Sequence, residues 1–78
     1  MDTSVVYKII AKQMGIDESE LTEATTFEDI EADSLDVFQI IMGVEEKLNI
    51  EVDTDAAEKL STVGDAVELI KKTVAENN

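Results

Sequence analysis

Ser34 stands in the run Asp33-Ser34-Leu35-Asp36, a hydroxyl flanked by carboxylates where an apolar-periodic segment begins. Its hydroxyl is the first candidate for chemistry. A serine that attacks on its own account needs a base beside it, and the chain has no His to serve as one. Its six Lys show no spacing that brings an amine to Ser34. Cys is absent as well, which removes thiolate nucleophiles, disulfides and thiolate metal sites. The residues therefore argue against self-contained enzyme chemistry. Taken alone, Asp33-Ser34-Leu35 also reads as an ordinary helix start.

The elements that must position Ser34 follow from periodicity. A helix is expected over Ser34 to Leu48, with Asp33 or Ser34 accepting the free N–H groups of its first turn. Val37, Ile40, Ile41, Val44 and Leu48 share one arc of that helix, which is its core face. Leu35, Phe38 and Met42 fall outside the arc, on the side of Ser34, with Asp36, Gln39, Glu45 and Glu46 around them. An apolar patch edged by acids has the composition of a docking surface for a basic partner. Two plainer readings stay open: Phe38 and Met42 cover another helix as core, and the acids form a solvated face.

Before this segment, Val6, Ile9, Ile10 and Met14 recur at helical spacing over Thr3 to Met14. Thr3 or Ser4 is expected to cap that helix at its start, and Gly15 to close it. Residues 16 to 33 lose the period and read as a long loop, with one capped turn at Asp17 to Glu20 and Ile16, Leu21, Phe27 and Ile30 as pegs into the core. A short turn is expected at Asp55 to Lys59. A last helix starts near Thr62, whose spacing to Asp65 makes a capping box, and buries Val63, Ala66, Val67, Ile70 and Val74. Ile50-Glu51-Val52 alternates like a strand but has no second strand to pair, so it reads as a loop anchor. The expected fold is all-α: a small antiparallel four-helix bundle of three main helices and one short one, a single domain over residues 1–78, with a long loop between helices one and two.

Composition bounds the partners. The chain has 78 residues, 44% of them hydrophobic but only 4% aromatic, so one small core must be built from Ile, Val, Leu, Met and Ala. Nineteen Asp and Glu against six Lys and no Arg give a net charge of −13. Such a field repels nucleic acid and anionic membrane surfaces and favours basic proteins. No apolar run has the length of a membrane span or of a signal peptide's central region, and a soluble, cytoplasmic monomer is expected. Asp53-Thr54-Asp55 continues into Ala56 without the turn glycine of an EF-hand. No specific metal site is expected, only diffuse cation binding.

Glu31-Ala32-Asp33-Ser34-Leu35-Asp36, then Ile41-Met42-Gly43-Val44-Glu45-Glu46-Lys47-Leu48 and Ile50-Glu51-Val52, resembles the bacterial acyl carrier proteins of type II fatty acid synthesis. Thr26-Phe27-Glu28-Asp29-Ile30 before this stretch, and Ala57-Glu58-Lys59-Leu60 with Thr62-Val63 after it, extend the likeness over nearly the whole chain. The resemblance implies that Ser34 carries 4′-phosphopantetheine, attached from coenzyme A by a phosphopantetheinyl transferase, and that the arm's thiol bears the acyl chain. It implies a carrier without catalysis of its own, which meets fatty acid synthesis enzymes through their basic docking patches. Asp33, Leu35, Asp36, Phe38, Met42, Glu45 and Glu46 would form the surface that meets them. The chain departs from the family in three places. Glu31 stands where Gly is usual, so any positive φ there becomes costly. Gln39 replaces a common acid, and no Pro separates Val52 from Asp53. Carriers of specialised polyketide, lipid or aminoacyl pathways remain alternatives, as does an unmodified acidic adaptor or cation-binding protein.

Overall fold

In the computed structural model, which describes residues 2–77, the chain forms four α-helices among the described residues, with no named strand. They are α1 (Ser4–Met14), α2 (Ser34–Leu48), α3 (Thr54–Glu58) and α4 (Val63–Glu76), with one 3₁₀ turn at Glu18–Glu20. α1 packs on α2 and α4, and α3 bridges α2 and α4. Three long helices and a short one thus make the expected small bundle.

Helix boundaries follow local chemistry. Asp17 and Glu20 form a reciprocal capping box on the 3₁₀ turn, and Thr62 and Asp65 form another at the start of α4. The N–H groups of Ser61 and Thr62 point at the Asp65 carboxylate and hold it below the usual carboxylate range. The start of α1 differs from expectation. Neither Thr3 nor Ser4 caps it by side chain; Asp2 Oδ1 accepts the Ser4 N–H at 2.9 Å instead. A carboxylate two residues ahead reaches that amide, and Thr3 itself is already in the right-handed helical region. Gly15, at φ 66°, ends α1 in the left-handed conformation that a side chain would resist. α3 begins one residue before the expected turn because Asp53 caps it through the Asp55 N–H.

The core is aliphatic, as composition requires: Val6, Ile10, Ile40, Val44, Val63, Val67 and Ile70 are fully enclosed. Of the predicted core face of α2, Ile40, Ile41 and Val44 are buried, while Val37 and Leu48 are half-buried against them. On α4 Val74 is only half-buried, and Thr73 takes an inward place that hydropathy did not mark. Its hydroxyl donates to Leu69 O at 2.8 Å, so the buried polar atom is satisfied. Leu21, Phe27 and Val52 are buried pegs of the loops, with Ile16, Ile30 and Ile50 half-buried beside them.

The loop from Gly15 to Asp33 is fastened to the start of α4. Phe27 N–H donates to Ser61 O, Val63 N–H to Thr25 O and Gly64 N–H to Glu23 O, all at 2.8–2.9 Å. Gly64 is required there, since a Cβ would lie 2.9 Å from Glu23 O. The loop ends in a turn in which Ala32 N–H returns to Phe27 O and Glu31 sits at φ 57°. Glutamate in this region carries roughly 1–2 kcal/mol of steric strain that glycine would not.

Glu31→Gly is expected to raise stability by about 0.5 kcal/mol, the relief of strain exceeding the extra unfolded-state freedom of glycine. Glu31→Gln removes the same charge and keeps the strain, so in chemical denaturation the glycine variant should be the more stable of the two. A second expectation concerns charge. One ion pair, Lys71 Nζ to Glu68 Oε1 at 3.9 Å and on the surface, is present among the described residues of a chain with net charge −13. Self-repulsion is therefore largely uncompensated, and added salt should raise the melting temperature, magnesium doing so at lower concentration than sodium. A melting temperature unchanged by either would contradict this.

Candidate functional site

Ser34 is the first residue of α2, and its placement is set by its neighbours on both sides. Asp33 Oδ1 accepts the Asp36 N–H at 2.9 Å, and Asp36 Oδ2 accepts the Asp33 N–H at 3.1 Å. This reciprocal box closes over Ser34 and Leu35 without using the serine side chain, so the Ser34 hydroxyl faces solvent and takes no part in the cap. The cap is thus made by Asp33, one of the two candidates that the sequence offered. Upstream, Asp29 and Thr26 hold each other through their backbone amides. The Thr26 N–H keeps the Asp29 carboxyl below its ordinary range.

Beside the hydroxyl lies a groove of about 480 Å³, lined by Phe27, Ala32, Val37, Phe38, Ala57 and Leu60 together with Asp33, Ser34 and Glu58. The loop, α2, and α3 with the residues that follow it all contribute a wall. Its apolar lining comes largely from residues that also serve the core.

Leu35 and Met42 are 64% and 62% exposed, the large hydrophobic side chains most open to solvent among the described residues. Phe38 is half-buried and lines the Ser34 groove. Asp33 and Glu46 are exposed and Asp36 is half-buried. Glu45 is placed differently from its neighbour: its Oε2 accepts the Val52 N–H at 2.8 Å in a half-buried setting, which fastens the segment after α2 to the helix. That carboxylate is a structural anchor, a role that its position on a helical wheel did not disclose. Gln13, which periodicity did not single out, reaches from α1 to Asp36 and Gln39. Among the described residues, no group of three or more carboxylates is arranged to hold a metal ion and no helix is long and apolar enough to cross a membrane.

The site can offer an accessible hydroxyl at the positive end of a helix dipole, a place that favours a phosphate although Asp33 and Asp36 oppose it. An arm of phosphopantetheine fits this arrangement: the hydroxyl is open for a covalent bond, and a groove with apolar walls begins at the same residue.

Comparison with known proteins agrees. The phosphopantetheine attachment site family matches residues 4–70. Among solved structures, an acyl carrier protein from Thermotoga maritima superposes with a TM-score of 0.85 at 24% identity, over 96% of this chain and 88% of that one. The acetyl actinorhodin acyl carrier protein of Streptomyces coelicolor gives 0.84 at 23% identity, over 100% and 95%. A holo acyl carrier protein from Geobacter metallireducens gives 0.80 at 29% identity, over 96% and 87%. With a match that runs from the start of α1 into α4 and takes in the groove beside Ser34, the chain belongs to the phosphopantetheine attachment site family and has the fold of the acyl carrier proteins.

Proposed function

We propose that this protein is an acyl carrier of bacterial fatty acid synthesis and that Ser34 is the point at which 4′-phosphopantetheine is attached. The observation that carries the proposal is the exposed Ser34 hydroxyl at the head of α2, outside the capping bonds and beside an apolar-walled groove. In the attachment step Ser34 Oγ forms a phosphoester bond while the pyrophosphate bond of coenzyme A breaks. The adenosine bisphosphate half leaves, and the hydroxyl proton passes to a base on the transferase. When bound, the arm supplies a terminal thiol on which acyl groups are carried as thioesters, chemistry that a chain without Cys lacks. The α2 dipole favours the phosphodiester, and Phe27, Val37 and Leu60 offer apolar walls close to its root.

The partner-facing surface in this reading is the exposed side of α2. Leu35 and Met42 are its apolar contacts, Phe38 its inner edge, and Asp33, Asp36 and Glu46 its steering charges, with Glu45 adding charge from its anchored position. Transferases and synthases with basic patches would be met quickly and released quickly, as a shuttle requires. A cytoplasmic location belongs to the same proposal. A carrier of a specialised polyketide or lipid pathway is the second reading, favoured by Glu31, whose strained acid stands three residues before the modified serine. Loading trials with malonyl transferases of fatty acid and polyketide systems separate the two.

Incubation with coenzyme A and a phosphopantetheinyl transferase is expected to add one phosphopantetheinyl group by intact mass. Ser34→Ala should gain none while keeping its helical circular dichroism, and a mass gain on that variant would refute the assignment. Met42→Ala should cost under about 0.5 kcal/mol of stability, as an exposed side chain does, yet weaken docking to a synthase. Glu46→Lys should slow association and flatten its salt dependence. Loss of roughly 2–5 kcal/mol in Met42→Ala would instead mark a core residue.

A further inference from the structure

Gln13 lies in the last turn of α1, half-buried, and its side chain crosses to the head of α2. Its Nε2 donates to Gln39 Oε1 at 2.8 Å and to Asp36 Oδ1 at 3.3 Å. A primary amide nitrogen carries two N–H donors, so one side chain can make both bonds together. The other oxygen of Asp36 holds the Asp33 N–H, as described above. Each oxygen of the Asp36 carboxylate is therefore engaged, one by the residue before Ser34 and one by a different helix.

The first turn of α2 is thinly packed, with Val37 and the preceding Ala32 as its partly buried contacts to the core. Ser34 and Leu35 are exposed, Asp36 and Val37 are half-buried, and the first fully enclosed residue of the helix is Ile40. A helix end with so few apolar contacts frays, and the position of its side chains blurs with it. The capping box alone orders that turn internally; it does not fix the turn against the rest of the bundle. Gln13 supplies that second constraint, from the place where α1 ends at Gly15.

Resting on the reading of Ser34 as the attachment point, we propose that Gln13 is a positioning residue for the modification: acting through Asp36, it holds the Asp33-Ser34 turn so that the hydroxyl meets the transferase in one place. Of the docking surface Gln13 touches only Asp36, whose charge it leaves in place, and not Leu35, Met42 or Glu46, so its effect falls on turnover more than on association.

The test is initial-rate kinetics with purified apo protein, coenzyme A and a phosphopantetheinyl transferase, varying the carrier concentration. Gln13→Leu keeps bulk and removes both donors; kcat should fall about tenfold with KM for the carrier little changed, the size expected of a misplaced reacting group. Gln13→Lys presents a different donor to the same two acceptors and should restore most of the rate. Gln13→Glu sets a carboxylate against Asp36 and should be at least as slow as the leucine variant. Val67→Ala, a cavity in the buried face of α4, serves as the stability control and should melt lower while keeping the kcat of the parent. The proposal is overturned if Gln13→Leu turns over at the parental kcat, if the lysine does not restore it, or if Val67→Ala loses kcat in step with its melting temperature. A mass gain on Ser34→Ala would overturn the attachment reading and this inference together; no gain there, with parental kcat in Gln13→Leu, overturns only the role of Gln13.

Discussion

The paired hydrogen bonds between Asp33 and Asp36 decide where α2 begins, and much of the molecule's chemistry depends on that starting point. Backbone N–H groups at a helix start lack intrahelical partners, and the reciprocal box satisfies two, those of Asp33 and Asp36, with side chains already at hand. Using two aspartates for this purpose leaves the serine between them without a structural duty. Its hydroxyl is exposed because its neighbours do the capping. Were Ser34 itself the cap, its oxygen would be turned toward the backbone and committed there.

Charge works against this arrangement as well as for it. The acids that cap helices, Asp2, Asp17, Asp33, Asp53 and Asp65, each meet backbone amides. They are stabilised locally, while the sum of nineteen acids against six lysines is repulsive over the whole domain. A small aliphatic core must withstand that repulsion. The same field selects for basic partners, so a property that weakens the fold also defines what the protein can meet.

Much of this was legible in the sequence. Period 3.6 located the long helices, and Asp33, Thr62 and Gly15 marked ends that the structure confirms, because capping chemistry is local. Asp2 was missed as a cap: the sequence offered Thr3 or Ser4, and the carboxylate just ahead of them takes the Ser4 amide instead. The loop pegs Leu21, Phe27 and Val52 were visible as isolated apolar residues, but the backbone bonds that tie the loop to residues 61–64 were not, because backbone pairing carries no side-chain signature. Glu45 and Gln13 were hidden for a related reason. Each joins segments distant in sequence, and nothing in a single helix's periodicity records what lies opposite it. The left-handed Glu31 was foreseen as a cost from the glycine that the family places there, and the φ of 57° realises that cost.

The fastening of residues 23–27 onto residues 61–64 also has a consequence in time. Chains emerge from the ribosome amino end first. Helices as short as α1 and α2 are marginal alone, and the loop that delivers the chain to Asp33 has no seat until the start of α4 has followed it out. The setting of Ser34 is thus completed by residues about thirty positions downstream of it. A chain still in synthesis displays the serine without its proper surroundings, and the finished domain displays it in them.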